Sequence, residues 1–482
     1  MKDAIIPIEM LLATTAKVLC SAVFISGRDP EEAFRNSAPW ALHAFQLPEA
    51  LTEIARWKVD GAARRVEVSV TLGDSQVRTL IDSHCSAHPE FDADWTAEAT
   101  RLKSLGTVTR TAQYTGDQGT IIMPEDGQLH LHFSPIDVAR RQTDSGEWLV
   151  DPSNEGTKVS ESMKQEVEYA LCDAFADRTA QHAAVVVVKH GRIVGEMYAD
   201  SIHRDMPLES WSMGKSVLCT FIGLLVQDGK LSLDDPAPIP AWRDSGDDRR
   251  NITLRHLLNM SSGLKCEGAE EPRTAWSTGV PEHFYPYASA INVEDFATQR
   301  PSEFPPATVG RYRNCDTLSL SAIYFNTIRT LGLDPLSWPQ SNLFDRIGMR
   351  GLIHETDRWG RFIISGFNYG TARDWARLGQ LYLQDGNWNG TQVLSNEWVQ
   401  FVRTPAPAWA KQNYGAQFLL NTTREFCLPN DAFFMAGGGG QHVFIVPSLD
   451  LVVVRMGHAR GYAASKTNVD GLLQGVLRAL HT

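Results

Sequence analysis

Ser210-Trp211-Ser212-Met213-Gly214-Lys215-Ser216 heads an apolar run in which Val217, Leu218, Phe221, Ile222, Leu224 and Leu225 recur near helical spacing until Gly229 stops it. This pattern places Ser212 at a helix opening, where the helix dipole favours negative charge, and returns Lys215 to the same face one turn on. A serine hydroxyl is a poor nucleophile until a neighbour takes its proton. A lysine can do so only if burial or nearby positive charge lowers its pKa. The spacing supplies reach and leaves the shift to the fold. It is also unspecific by itself, because Ser262-Gly263-Leu264-Lys265 repeats it at a Ser-Gly turn behind the helical segment Leu254 to Met260. A plain helix cap is the competing account of Ser212.

Outward from this stretch, the pattern alternates between helix and strand. A helix is expected over Glu161 to Phe175, followed by Ala183 to Lys189 and Arg192 to Tyr198, two apolar runs about His190-Gly191 that read as a hairpin. From Trp211 to about Asn413, helical segments alternate with loops rich in Pro and Gly. Strands return at Ala432 to Ala436, Gln441 to Val446 and Leu449 to Met456, and a helix at about Val469 to Leu480 closes the chain. The sheet is thus split in sequence around a helical insertion. The fold class expected is α+β, an antiparallel sheet flanked by helices with a helical subdomain beside it and a cleft between them. Residues 1–150 read as a small N-terminal mixed α/β domain of underived role, with strands at Val66 to Leu72, Thr120 to Met123 and Leu129 to Phe133, the last two about the turn Asp126-Gly127. Residues 151–160, with Pro152, form the expected linker, and 161–482 the second domain.

Two later elements carry further chemistry. In Gly310-Arg311-Tyr312-Arg313-Asn314-Cys315-Asp316, an extended turn points Tyr312 and Asn314 the same way. A phenol beside a lysine ammonium has a lowered pKa and can shuttle a proton, and the Asn314 amide can hold the substrate or the lysine. In Met435-Ala436-Gly437-Gly438-Gly439-Gly440-Gln441-His442, four glycines stand between two apolar strands, which asks for a reason such as close backbone approach to a ligand. There the Gly438 N–H can pair with that of Ser212 as an oxyanion hole. A hairpin loop is the alternative.

Ser212-x-x-Lys215, Tyr312-x-Asn314 and the glycine-rich strand, in this order, resemble the serine β-lactamase and penicillin-binding-protein superfamily in its class C and esterase-like branch. Ile252 to Leu264 and Thr371 to Gly379 look similar to the same branch, and the resemblance covers about residue 160 to the end. Trp211 to Ser216 and Gly440-Gln441 are most similar to 6-aminohexanoate-dimer hydrolase-like enzymes and family VIII carboxylesterases. The resemblance implies a serine hydrolase acting on a small-molecule ester or linear amide. In it Ser212 is acylated, Lys215 and Tyr312 handle its proton, the Ser212 and Gly438 amides hold the oxyanion, and Gly437, Asn314 and Gln441 border the substrate. No cofactor and no metal are implied. One departure stands out: where β-lactamases and D,D-peptidases carry Lys or His in a Lys-Thr-Gly type motif that receives the substrate carboxylate, this chain has Met435-Ala436-Gly437. The alternative function is a penicillin-binding-like protein acylated with little turnover.

Composition narrows the field. The net charge of −12, with no basic run interleaved with aromatics, argues against a nucleic-acid partner. Seven cysteines without short paired spacings imply no disulfide framework, although one long-range bridge stays open. The apolar stretch Ala4 to Ile25 is broken by Glu9 and Lys17 and reads as a partly buried helix rather than a signal peptide, which leaves export and a cytoplasmic location both open. His130 with His132 on one strand face, and His84, Cys85 and His88, lack a third ligand for a metal. A Ser-His-Asp hydrolase would want Gly-x-Ser-x-Gly, which does not occur.

Overall fold

The computed structural model describes residues 6–44, 48–87, 89, 93–140, 159–244, 246–268, 271, 280–349, 351–459 and 462–480. Most of the expected linker, 151–158, and His88 lie outside them.

The central sheet has six antiparallel strands in the order Leu419–Leu420, Phe433–Gly437, Gln441–Val446, Leu451–Gly457, His182–Lys189 and Arg192–Tyr198. The sheet is split in sequence as expected, and the hairpin turns at His190 and Gly191, both at positive φ. Its residues are strand formers because they are β-branched and apolar on both faces. Along His182–Lys189, Val185 and Val187 face one core with Val167, Leu171, Val469 and Leu473, while Ala184, Val186 and Val188 face the other with Val217, Phe221, Trp375 and Leu378. Each fully buried valine contributes roughly 1.5–3 kcal/mol of burial. Helices Glu161–Ala176 and Tyr462–Ala479 thus cover one face, and Met213–Gln227 and Ala372–Leu383 the other. The α+β layering expected from the sequence is the one found.

The N-terminal residues form a four-stranded antiparallel meander, Arg56–Asp60, Arg65–Thr71, Thr107–Tyr114 and Thr120–Ile122, packed on helix Ile8–Phe24. The strand expected at Leu129 to Phe133 does not form. No sheet edge receives it; instead the His132 N–H donates to Arg358 O, the His132 ring stacks on Trp359 and Phe133 sits over Gly360. His130 and His132 therefore share no strand face.

Helix Ile8–Phe24 is more deeply buried than expected, because its core continues into Trp211, Tyr287, Leu318 and Phe367. Lys17, which looked like an interruption in the sequence, is wholly buried and pairs with Glu355 at 2.8 Å. Glu355 also accepts from Ser21 Oγ and Thr120 N, each at 2.7 Å. A second buried tie joins Ser37 of helix Pro30–Ala44 to Glu209, 2.9 Å apart, three residues before Ser212. Removing one partner of the buried Lys17–Glu355 pair is expected to cost about 3–5 kcal/mol, because the other charge is stranded. Among the described residues no helix is long and apolar enough to cross a membrane.

Candidate active site

Trp211 sits at φ +49°, a left-handed conformation that is strained for a bulky residue. The surrounding rings hold it there: its own lies 4.4 Å from that of Trp40 and 5.2 Å from that of Phe367. The kink delivers Ser212 to the mouth of helix Met213–Gln227, where its side chain makes no capping hydrogen bond. The plain-cap account therefore fails.

Ser212 Oγ lies instead 2.8 Å from Lys215 Nζ, which also donates to Ser365 O at 2.7 Å. Lys215 is buried, and burial alone drives its pKa well below the ordinary value. The ammonium donates to Ser212 Oγ, whereas the neutral amine keeps one N–H on Ser365 and offers its lone pair to the hydroxyl proton. The Tyr312 ring lies 4.8 Å from Lys215 Nζ. A lowered Tyr312 pKa was expected from a neighbouring ammonium, and this is corrected. Burial raises it, with the Ser212 hydroxyl pulling the other way.

Asn314 is placed elsewhere. As the first residue of helix Asn314–Thr330 it is fully buried, with Nδ2 donating to His283 O at 2.5 Å and its N–H donating to His283 Nδ1 at 3.2 Å. It does not line the cavity, whereas Tyr312 does. Cys315 beside it is joined to Cys266, the long-range bridge left open by the sequence. His283 had no sequence signal, standing in no motif. Its ring is 5.8 Å from that of Tyr312, and burial, with the charges of Lys215 and Arg313, pushes its pKa well down. Tyr287, likewise unforeseen, donates to Ser365 Oγ at 2.9 Å and so braces the residue whose carbonyl holds Lys215.

The glycine run is a hairpin turn between Phe433–Gly437 and Gln441–Val446, and the close approaches it permits come from the protein itself. A Cβ on Gly437 would meet Ser210 O at 2.0 Å and lie 3.1 Å from Ser212 N, so this strand end touches the Ser212 backbone. A Cβ on Gly438 would meet the Trp40 ring at 2.6 Å. Gln441 does not line the cavity; its amide accepts from Gly457 N at 2.9 Å and donates to Gly457 O, fastening the hairpin to the next strand. Met435 is core, so no cation stands at that position. The neighbouring His442 does face the cavity, is pushed down to about 4 by burial, and is therefore neutral at pH 7.

Ser212, Tyr312 and residues 436–440 open onto a cavity of about 940 Å³. Its lining includes Trp40, Pro48 and Ser86 of the N-terminal unit, which was not foreseen. Among the described residues no group of three or more His, Cys, Asp or Glu gathers as a metal site.

This sheet, split around a helical insertion with Ser212 and Lys215 in the cleft, is a β-lactamase-like fold, and residues 166–326 match the family described as Beta-lactamase. The chain is similar to the 6-aminohexanoate-dimer hydrolase of Paenarthrobacter ureafaciens, 21% identical over 314 residues that make up 61% of this chain and 74% of that protein. Among solved structures it is similar to one from Bacillus anthracis provisionally assigned as a 6-aminohexanoate-dimer hydrolase, with TM-score 0.53, 20% identity, and coverage of 73% of this chain and 88% of that one. It is also similar to a family VIII carboxylesterase, with TM-score 0.52, 14% identity, and coverage of 67% and 99%. The superfamily resemblance carried by the motifs is borne out.

Proposed function

We propose that this protein is a serine hydrolase that cleaves a carboxylic ester or linear amide through an acyl-enzyme. The observation that carries the reading is the 2.8 Å contact between Ser212 Oγ and a buried Lys215 whose pKa is well lowered. Lys215 Nζ takes the hydroxyl proton as Oγ bonds to the carbonyl carbon, and the oxyanion that forms faces the amides of Ser212 and Gly438. Tyr312, kept protonated by burial, gives its proton to the departing alkoxide or amine and is reprotonated from Lys215. Water then attacks the ester on Ser212, its proton passing to the same pair, and the acid leaves as that proton is returned to Ser212 Oγ. The hydrolase names among the relatives support this class of reaction.

Stopped-flow hydrolysis of p-nitrophenyl esters tests it. A burst equal to the enzyme concentration followed by steady release, with an acyl mass on Ser212, is the expected result. A stoichiometric adduct without turnover would replace the hydrolase with a penicillin-binding-like acceptor.

A further inference from the structure

The N-terminal unit had no role in the sequence, yet it lines the same cavity as Ser212. Trp40 is fixed from three sides: its Nε1 donates to Ala459 O at 3.0 Å, its ring lies against Trp211, and the bare backbone of Gly438 and Gly439 leaves it room. The helix that carries it is tied to Glu209 through Ser37, and its neighbour Ile8–Phe24 is tied to Glu355 through Lys17, so this wall is anchored to the segment that leads into Ser212 and to Glu355. The same cavity is lined by Leu419, Phe426 and Phe434, all apolar. At the mouth His43 pairs with Glu49 at 2.8 Å, Lys466, the one Lys or Arg of the lining among the described residues, pairs with Asp470 at 3.7 Å, and burial raises the pKa of the lining Glu425. A cavity of about 940 Å³ is far larger than a small ester needs, and its apolar stretches, Trp40 among them, suit a bulky ligand.

We propose, resting on the hydrolase reading above, that the N-terminal unit is the second half of the substrate site: a bulky, uncharged, apolar group of the ester or amide, a medium-chain acyl or an aryl group, lies against Trp40. A substrate carboxylate near the scissile bond meets no cation there, since Met435 is core. Trp40 is thus a specificity residue supplied from outside the β-lactamase-like part of the chain.

The ratio of kcat/KM for p-nitrophenyl octanoate to that for the acetate tests this in the full-length protein. The wild type favours octanoate. Trp40→Ala lowers the ratio about tenfold, a change of about 1.4 kcal/mol in transition-state binding, and Trp40→Phe recovers most of it. Because Trp40→Ala also removes core packing, Ser86→Trp serves as a second variant: Ser86 is an exposed residue of helix Asp74–Ala87 on the cavity wall, and the added ring narrows the site and lowers the same ratio. A ratio that stays within twofold of wild type in both Trp40→Ala and Ser86→Trp, or a wild type that shows no octanoate preference, overturns the proposal while leaving the hydrolase intact. Loss of both ester activities in the wild type, with Ser212 unlabelled by a fluorophosphonate, is instead the failure of the hydrolase reading itself.

Discussion

Ser212 and Lys215 share their spacing with Ser262 and Lys265, and the two pairs meet opposite fates. The first opens helix Met213–Gln227, where the fourth residue rises over the first, and Lys215 is buried against Ser212. The second lies on a turn through Gly263 at φ +79°; Lys265 is exposed, and Ser262 Oγ donates to Asp316 instead. A three-residue spacing becomes chemistry only when a helix aligns the side chains and a core strips water from the amine.

That contrast can be broken by mutation. Lys215→Ala is expected to lower kcat/KM for esters by at least ~10³-fold, while Lys265→Ala stays within about twofold; comparable losses would dissolve the distinction. Tyr312→Phe is expected to cost about 10²-fold on a linear anilide and clearly less on a nitrophenyl ester, whose leaving group needs no proton; equal losses would remove Tyr312 as the acid. Because burial depresses Lys215, kcat/KM should rise with pH through a midpoint well below the ordinary 10.5 and then level off, as the protonated amine gives way to the base. A rise that follows an ordinary lysine would show that the amine is not tuned. Nitrocefin turnover should fall well below that of simple esters, since Met435 offers its carboxylate no partner.

The second pair has a smaller, purely structural signature. Burial pushes the Asp316 carboxyl up to about 7, against the pull of the Ser262 hydrogen bonds and of Arg313. A folded-state pKa above the unfolded 3.8 means the folded chain holds the proton more tightly, so the stabilisation is full at low pH and is lost as pH rises through about 7. Urea midpoints should therefore decline between pH 5 and 8 in the wild type and decline less in Asp316→Asn. An identical slope in the two proteins would contradict this.

The sheet was legible because its strands are β-branched runs whose alternate residues fill two cores, and because His190-Gly191 permits the tight turn. The Ser212 and Tyr312 neighbourhood was legible from local motifs. What local pattern cannot carry is contact between distant elements: Trp40, in a helix that contains Pro39, meets Trp211 and Gly438 only through the tertiary fold, and His283 reaches Tyr312 the same way. Leu129 to Phe133 shows the converse, strand-like residues with no edge to join. The Tyr312 shift was misread because the sequence shows a basic neighbour and hides its burial.

Labelling with a fluorophosphonate, followed by intact mass and peptide mapping on wild type, Ser212→Ala and Ser262→Ala, tests the central claim most directly. The account predicts one adduct on Ser212, lost in Ser212→Ala and kept in Ser262→Ala. An unlabelled wild type, or an adduct that survives Ser212→Ala, would contradict it.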